Sequence, residues 1–174
     1  INGLNQAVNN ANDAIGLIQT AEGAMTETHS MLQRMKTLTT QAANGTYTTT
    51  ARTNIKAEID ALNAEITRIA TTTKFNGETP LSPKTVGTPL TFFIGATSDK
   101  TNAMTVGQQI MTAEKLEVKD IKVSSTTEAF SAMASVDAAI EKVSSYRATL
   151  GAAQNRLEHT VNNLKVTSEN ITSA

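Results

Sequence analysis

The stretch AFSAMASVDAAIEKVSSYRATLGAAQNRLEHTVNNLKVTSENI, residues 129–171, decides the fold. Its apolar residues recur in alternating steps of four and three, the heptad spacing of a coiled-coil helix that buries one long seam. Only Arg147, Gln154 and Ser168 are polar in this series. A helix of this length extends about 65 Å and needs a partner of similar length. The apolar members of the seam are Ala129, Met133, Val136, Ile140, Val143, Leu150, Leu157, Val161, Leu164 and Ile171.

The partner is predicted at the other end of the chain, where two apolar stripes follow the same spacing. We therefore predict a mainly α fold, an elongated bundle of long amphipathic helices that pairs the N- and C-terminal parts and carries a small β-hairpin region. One stripe contains Leu4, Val8, Ala11, Ile15, Ile18, Met25 and Leu32. The second contains Ala7, Ala14, Leu17, Ala21, Ala24, Met31, Met35 and Leu38.

Composition narrows the functional classes. The 174 residues suit a single domain, and a net charge of −1 gives no electrostatic reason to expect nucleic acid or an anionic membrane as a partner. Cysteine and tryptophan are absent, and no apolar run approaches the roughly 20 residues of a membrane span. The chain starts at Ile1 and ends within a helical pattern. We therefore expect it to be a piece of a longer protein.

The helical boundaries follow from the pattern and its breaks. The first helix is predicted over residues 4–43 and ends at Asn44–Gly45, a pair that accepts the left-handed conformation closing many helices. A second, shorter helix is predicted over residues 52–70, from the spacing of its isoleucines and Leu62. The last helix is capped within residues 124–127.

The middle of the chain is rich in turns. After Phe75-Asn76-Gly77, strands are predicted at residues 91–94 and 103–106, joined by a polar loop at 97–102 into a β-hairpin. A short helix at 108–116 and an extended return at 117–123 follow. We predict one domain, residues 1–174, with N-terminal helices in 1–75, a hairpin and turn region in 76–125 and a long helix in 126–174.

Catalytic and metal-binding patterns are missing from the sequence. His29 and His159 do not show the i, i+4 spacing of a helical zinc site, and the carboxylates of the second helix suit a solvated helix face. Glycine-rich phosphate loops and nucleophile motifs are absent. We therefore expect no enzyme, cofactor or metal. Asn44-Gly45-Thr46 and Asn170-Ile171-Thr172 match the weak N-glycosylation pattern.

Long stretches of the sequence resemble bacterial flagellin. Residues 15–24, IGLIQTAEGA, are similar to the most recognisable part of that family, and LNQA at 4–7 precedes them. Further similar stretches keep the family's order. They are NAND (10–13), LQR (32–34), QAANG (41–45), IKAEI (55–59), FNG (75–77), RATLGA (147–152), QNRLEHT (154–160) and SEN (168–170).

The resemblance implies a structural subunit of the bacterial flagellar filament, secreted to the cell exterior and assembling with other flagellin subunits. It implies the core rod without the terminal helical segments that flagellins carry, so we expect this fragment to be monomeric. An alternative within the same apparatus is a hook–filament junction protein. An alternative from another class is a flagellin-like cell-surface adhesin.

The resemblance also implies a binding surface for the innate immune receptor Toll-like receptor 5. In recognised flagellins a Gln-Arg pair, a leucine one turn on and a glutamate on the second helix form its centre. Lys36 and Thr37 stand here where those flagellins carry a second arginine and an acid. Spacing of i, i+4 and i+7 predicts one shared helix face for Arg34, Leu38 and Gln41. The positions implied are Gln33, Arg34, Leu38, Gln41, Ile55 and Glu58.

Overall fold

The computed structural model describes residues 2–85, 87, 89–95 and 102–174. It contains helices α1 (Asn2–Ala42), α2 (Thr49–Thr72) and α3 (Thr126–Ser173). Strands β1 (Leu90–Phe93) and β2 (Ala103–Val106) pair antiparallel, with Leu90 opposite Val106. The predicted mainly helical fold with a small hairpin is confirmed, although residues 97–101 of the predicted hairpin loop lie outside the described residues. Within the described part, no helix is long and apolar enough to cross a membrane.

Helices α1 and α3 run antiparallel along each other. Lys36 Nζ donates to Asp137 Oδ1 at 2.6 Å, and Arg147 Nη2 donates to Thr26 Oγ1 at 3.2 Å. As the position on α1 falls by ten residues, its partner position on α3 rises by ten. The two ends of the chain therefore pair side by side, as the heptad spacing predicts.

The buried stripe of α3 is rotated from the predicted seam. Val136, Val143 and Leu150 are buried, but Met133 and Ile140 are only partly covered. Burial moves to the neighbouring positions because α3 packs against residues 107–123 as well as against α1. The seam prediction is wrong at Ile171, which is 47% exposed. The neighbouring buried positions are Ala132, Ala139 and Tyr146.

The opposite side of α1 is covered by several elements in succession. Helix α2 returns antiparallel, because Arg34 of α1 pairs with Glu58 of α2. Beyond α2, the ring of Phe75 lies on Gly16, where an added Cβ would come within 2.6 Å of the ring. Phe75 enters a tight turn in which Asn76 and Gly77 have φ of 50° and 81°, as a two-residue hairpin turn requires.

The predicted left-handed end of the first helix is wrong. Helix α1 ends at Ala42, and neither Asn44 nor Gly45 has a positive φ. The terminal carbonyls of α1 are satisfied from outside instead. Arg52, in the first turn of α2, donates from Nε to Ala42 O at 3.1 Å and from Nη2 to Asn44 O at 3.2 Å.

The helix predicted over residues 108–116 is also wrong, and residues 117–123 contain turns in place of a continuous extended strand. The segment fills the groove between α2 and α3. Its internal backbone hydrogen bonds form turns, such as that from Val118 N to Ala113 O. Other polar groups bond to α2, since Ala113 N donates to Thr67 Oγ1 and Asn63 Nδ2 donates to Val118 O. Its buried residues are Met111, Ala113, Leu116, Val118, Ile121 and Val123.

Helix α3 begins with a side-chain cap. Ser125 Oγ accepts a hydrogen bond from Glu128 N at 3.1 Å, and Glu128 Oε1 accepts one from Ser124 N at 3.1 Å. The predicted cap within residues 124–127 is confirmed at Ser125. These two bonds satisfy backbone donors that the helix itself leaves unpaired.

Candidate functional site

The structure joins Arg34 of α1 to Glu58 of α2 through a two-bond ion pair. Arg34 Nε donates to Glu58 Oε1 and Nη2 donates to Oε2, both at 3.0 Å. The side chains are 48% and 44% exposed. The hydrogen bonds and charge of Glu58 raise the pKa of Arg34. Because a guanidinium carries five N–H donors and two are used, three remain for a partner.

Of the other positions that the resemblance implies for receptor binding, some lie on the surface and some in the core. Gln33 is exposed, with its Nε2 3.4 Å from His29 Nε2, and Gln41 is half-buried. Leu38 is 2% exposed and Ile55 is 7% exposed. The predicted shared face of Arg34, Leu38 and Gln41 is therefore interrupted, because Leu38 turns into the core. Leu38 and Ile55 offer almost no side-chain area to a partner in this conformation.

The two departures from the flagellin pattern lie on different sides of α1. Lys36 pairs with Asp137 and so faces α3, away from Glu58. Thr37 is exposed, and its Oγ1 donates to Gln33 O at 3.3 Å. Of the two, Thr37 therefore stands nearer to Arg34 on the helix surface, since three residues separate neighbours on one face.

Alternating charges continue along the exposed side of α2. Lys56 pairs with Asp60, and Arg68 pairs with Glu65. The pairing with Arg68 lowers the pKa of Glu65, and the pairing with Glu65 raises the pKa of Arg68. The surface around Glu58 is thus polar and nearly balanced in charge, which suits recognition by hydrogen bonds and paired charges.

Arg52 is a structurally important residue that the sequence pattern does not reveal. Its guanidinium bonds to Ala42 O and Asn44 O, as described above, and its Nη2 also donates to Thr126 Oγ1 at 3.0 Å. One guanidinium therefore ties together the end of α1, the start of α2 and the start of α3. A basic residue near a helix C-terminus is the only sequence signal of such a role, and here the residue comes from the next helix.

Tyr146 forms a second internal link. It is 3% exposed, and its hydroxyl donates to Gly107 O at 2.8 Å. Burial raises the pKa of Tyr146 to about 12, because the phenolate would lose its hydration. The hydroxyl holds the segment after β2 against α3.

The described residues do not assemble a reaction centre. Within that part of the chain, no three His, Cys, Asp or Glu side chains are grouped closely enough to hold a metal ion. A groove between residues 114–122 and the start of α3 is lined by Glu117, Lys119, Asp120 and Lys122 among others. The arrangement is that of a helical rod with exposed, paired charges along α1 and α2.

Comparison with known proteins agrees with this architecture. Residues 1–85 match the family described as bacterial flagellin N-terminal helical region, and residues 133–174 match bacterial flagellin C-terminal helical region. Flagellin FlaB2 of Treponema pallidum (strain Nichols) is 38% identical over 188 residues. That alignment covers 100% of this chain and 65% of the relative, so the chain spans about two thirds of its length.

Two further matches support the same family. Flagellin of Bacillus subtilis (strain 168) is 40% identical over 210 residues, which cover 100% of this chain and 67% of the relative. The crystal structure of Bacillus cereus flagellin superposes with a TM-score of 0.77 and 31% identity, covering 90% of this chain and 88% of that one. With both helical regions matched and the fold shared, the chain belongs to the bacterial flagellin family.

Proposed function

We propose that this chain is the core of a structural subunit of the flagellar filament, exported to the cell exterior and acting by assembly without catalysis. The observation that carries the proposal is the long antiparallel pair of α1 and α3. At 1.5 Å per residue these helices extend about 60 and 70 Å, so they form a rod whose long sides can contact copies of itself. Membership of the flagellin family supports the same role.

Exposed apolar side chains on the rod support subunit contacts. Phe130 of α3 is 59% exposed and Phe93 of β1 is 47% exposed. Such side chains gain stabilisation when a neighbouring molecule removes them from water. We expect Phe130→Ser in the full-length protein to weaken filament formation, whereas Ala134→Ser, one turn along the same helix, should leave it intact.

The filament proposal is tested in a flagellin-deficient bacterium that carries the full-length gene. Electron microscopy should show filaments, and antibodies against this chain should label them along their whole length. Labelling confined to the hook–filament junction would favour the junction-protein alternative. Failure of the exported protein to form filaments would contradict the proposal.

The adhesin alternative is weakened by the position of the tyrosines. A carbohydrate-binding platform is built mainly from exposed Trp and Tyr rings, and this chain has no Trp, while its exposed rings Phe93 and Phe130 belong to separate elements. Tyr146 is buried, and Tyr47 is only partly exposed and packs against the hydrophobic core. A glycan array probed with the purified chain should give no specific signal.

We further propose that the surface around Arg34 and Glu58 binds Toll-like receptor 5, with Gln33 and Gln41 as neighbouring contacts. What supports this is the half-exposed ion pair, which holds a guanidinium in one orientation before any partner arrives. A side chain fixed in advance loses less conformational freedom on binding. Leu38 and Ile55 would contribute indirectly, because their buried side chains pack α1 against α2.

Surface plasmon resonance with the receptor ectodomain tests this surface. Arg34→Ala should weaken binding about tenfold to a hundredfold if Arg34 is an interface anchor, because its partner groups would be left unpaired. Arg68→Ala is the matched control, since Arg68 is an exposed arginine paired within α2. Equal affinity of Arg34→Ala and the parent would contradict the proposal.

Position 37 gives a second test of the same surface. Thr37→Glu restores the acid of recognised flagellins and should strengthen binding. Lys36→Arg should change binding little, because Lys36 faces Asp137 on α3.

In the absence of receptor, light scattering should show the 174-residue chain to be monomeric.

A further inference from the structure

We propose that Asn44 is a site of spontaneous chemical modification, at which the exposed Asn44–Gly45 pair deamidates through a cyclic imide faster than the other Asn–Gly pairs of the chain. The sequence contains three such pairs, at Asn2, Asn44 and Asn76. Only the pair at Asn44 lies in an exposed connection between two helices. The proposal is independent of the filament and receptor roles.

The side chain of Asn44 is held over the peptide that would attack it. Its Oδ1 accepts hydrogen bonds from Thr46 N at 3.0 Å and from Thr46 Oγ1 at 2.9 Å. An Asx turn of this kind places Cγ beside the Gly45 amide, one residue before the donor. The two donors also withdraw electron density from Cγ and would stabilise the oxygen anion that forms when it is attacked.

The Gly45 amide is free to act as the nucleophile. In the part of the chain that the structure describes, this N–H donates to no acceptor, and no atom lies within 4 Å of the position that a Cβ would occupy. Glycine also lets the backbone reach the cyclisation geometry without a steric penalty. Electrophile and nucleophile are therefore both accessible at this one corner.

The overall reaction consumes one water molecule and releases one ammonia molecule. Gly45 N loses its proton and bonds to Asn44 Cγ, the bond from Cγ to the side-chain nitrogen breaks, and ammonia leaves. Water then adds to one of the two carbonyls of the ring. Opening at one carbonyl gives aspartate, and opening at the other gives isoaspartate, in which the main chain is longer by one carbon.

The Asn76–Gly77 pair is held more firmly. Phe75 and Glu78 exchange two backbone hydrogen bonds of 2.9 Å across it, and the ring of Phe75 is anchored on Gly16. The turn at Asn44–Gly45 is closed by one longer bond, of 3.2 Å from Tyr47 N to Asn44 O. The described contacts give Asn76 Oδ1 no donor equivalent to Thr46. Because its turn is fixed and its side-chain carbonyl is not activated by a donor, Asn76 should cyclise more slowly than Asn44.

Modification would act on the corner that Arg52 organises. In the aspartate product the new carboxylate would replace the side-chain amide whose Oδ1 accepts from Thr46 N and Oγ1. In isoaspartate the main-chain carbonyl of Asn44, whose oxygen accepts from Arg52 Nη2 at 3.2 Å, would become the free carboxylate, and the main chain would continue through Cγ. Each product adds one negative charge between α1 and α2, within one helical turn of Gln41.

The test is ageing of the folded chain at mildly alkaline pH, followed by peptide mass spectrometry and enzymatic methylation of isoaspartate. The Asn44 peptide should convert severalfold faster than the Asn76 peptide, and the two rates should approach each other in urea. Gly45→Ala should slow conversion at Asn44 severalfold without lowering the melting temperature, because Gly45 does not need a positive φ. Thr46→Val, which removes only the hydroxyl donor, should also slow it.

Equal rates at Asn44 and Asn76 in the folded chain would overturn the proposal. An unchanged Asn44 rate in both Gly45→Ala and Thr46→Val would overturn it as well. Circular dichroism of each variant before ageing verifies that the rates compare equally folded proteins.

Discussion

The two sides of α1 are covered in different ways. On one side a single long helix, α3, follows α1 antiparallel, and the contact is made by buried small and branched side chains. On the other side α2, the Phe75 turn and the hairpin follow one another, with Arg34 and Glu58 at the rim. One continuous helix therefore covers the α3 side, whereas several short elements cover the α2 side and leave the charged groups of Arg34 and Glu58 half-exposed.

The largest expected effect is on the α3 side. Val143 is 0% exposed, so Val143→Asp buries an unpaired carboxylate and should lower the free energy of unfolding by more than about 3 kcal/mol, out of roughly 5–15 for a domain. Ile140→Asp, at a partly buried position of the same helix, should have less than half this effect. Urea unfolding followed by circular dichroism measures both. An equal effect at the two positions would contradict the rotation of the buried stripe and support the seam predicted from the heptad spacing.

Arg52 connects the two sides, and its loss should have the next largest effect. Arg52→Ala removes the side-chain donor to Ala42 O and one of the two donors to Asn44 O, which also accepts from Tyr47 N, and should reduce stability by about 1–3 kcal/mol. Arg52→Lys should recover only part of this loss, because lysine lacks the planar fork. Thermal melting distinguishes the three proteins. If Arg52→Ala melts like the parent, the corner is held by other contacts.

Tyr146 gives the α3 side a dependence on pH. In the unfolded chain its proton leaves near pH 10, whereas in the folded chain the pKa is about 12. The folded state therefore binds more protons in this interval, so its full stability holds below pH 10 and falls as pH rises towards 12, by roughly 2 kcal/mol. Tyr146→Phe should remove this alkaline loss while losing the bond to Gly107. Parallel unfolding curves at neutral and alkaline pH test the prediction.

The smallest effect on stability is expected at the rim of the α2 side. Arg34→Ala breaks an exposed ion pair that solvent screens on all sides, so the melting temperature should stay close to that of the parent. The same variant should bind the receptor more weakly, as proposed above. A large fall in melting temperature would show that Arg34 and Glu58 serve the packing of α1 on α2.

Periodicity predicts the α3 side well because one long partner imposes one repeat. It identifies Val136, Val143 and Leu150 as core, but it does not show that residues 107–123 cover a second stripe through Ala139 and Tyr146. The false helix over 108–116 has the same origin, since its backbone is bonded to distant residues such as Thr67. Contacts made by irregular segments leave no repeat in the sequence.

The α2 side is predicted less from pattern than from resemblance. Arg34 and Glu58 are 24 residues apart on different helices, and no helical spacing brings them together. The resemblance places both in one implied binding surface, and the structure joins them by an ion pair. Leu38 and Ile55 of the same implied set are buried. Arg52 is missed because its partners are backbone carbonyls, which every sequence contains.

The register of α1 on α3 is the central claim, and cross-linking tests it most directly. The chain has no cysteine, so a pair introduced at Lys36 and Asp137 is unique and can be joined by a short bismaleimide. The control pair replaces Lys36 and Ala148, which lies on the same side of α3 about 16 Å farther along the helix. We expect rapid cross-linking of the first pair and little of the second. Preferential cross-linking of the second pair would contradict it.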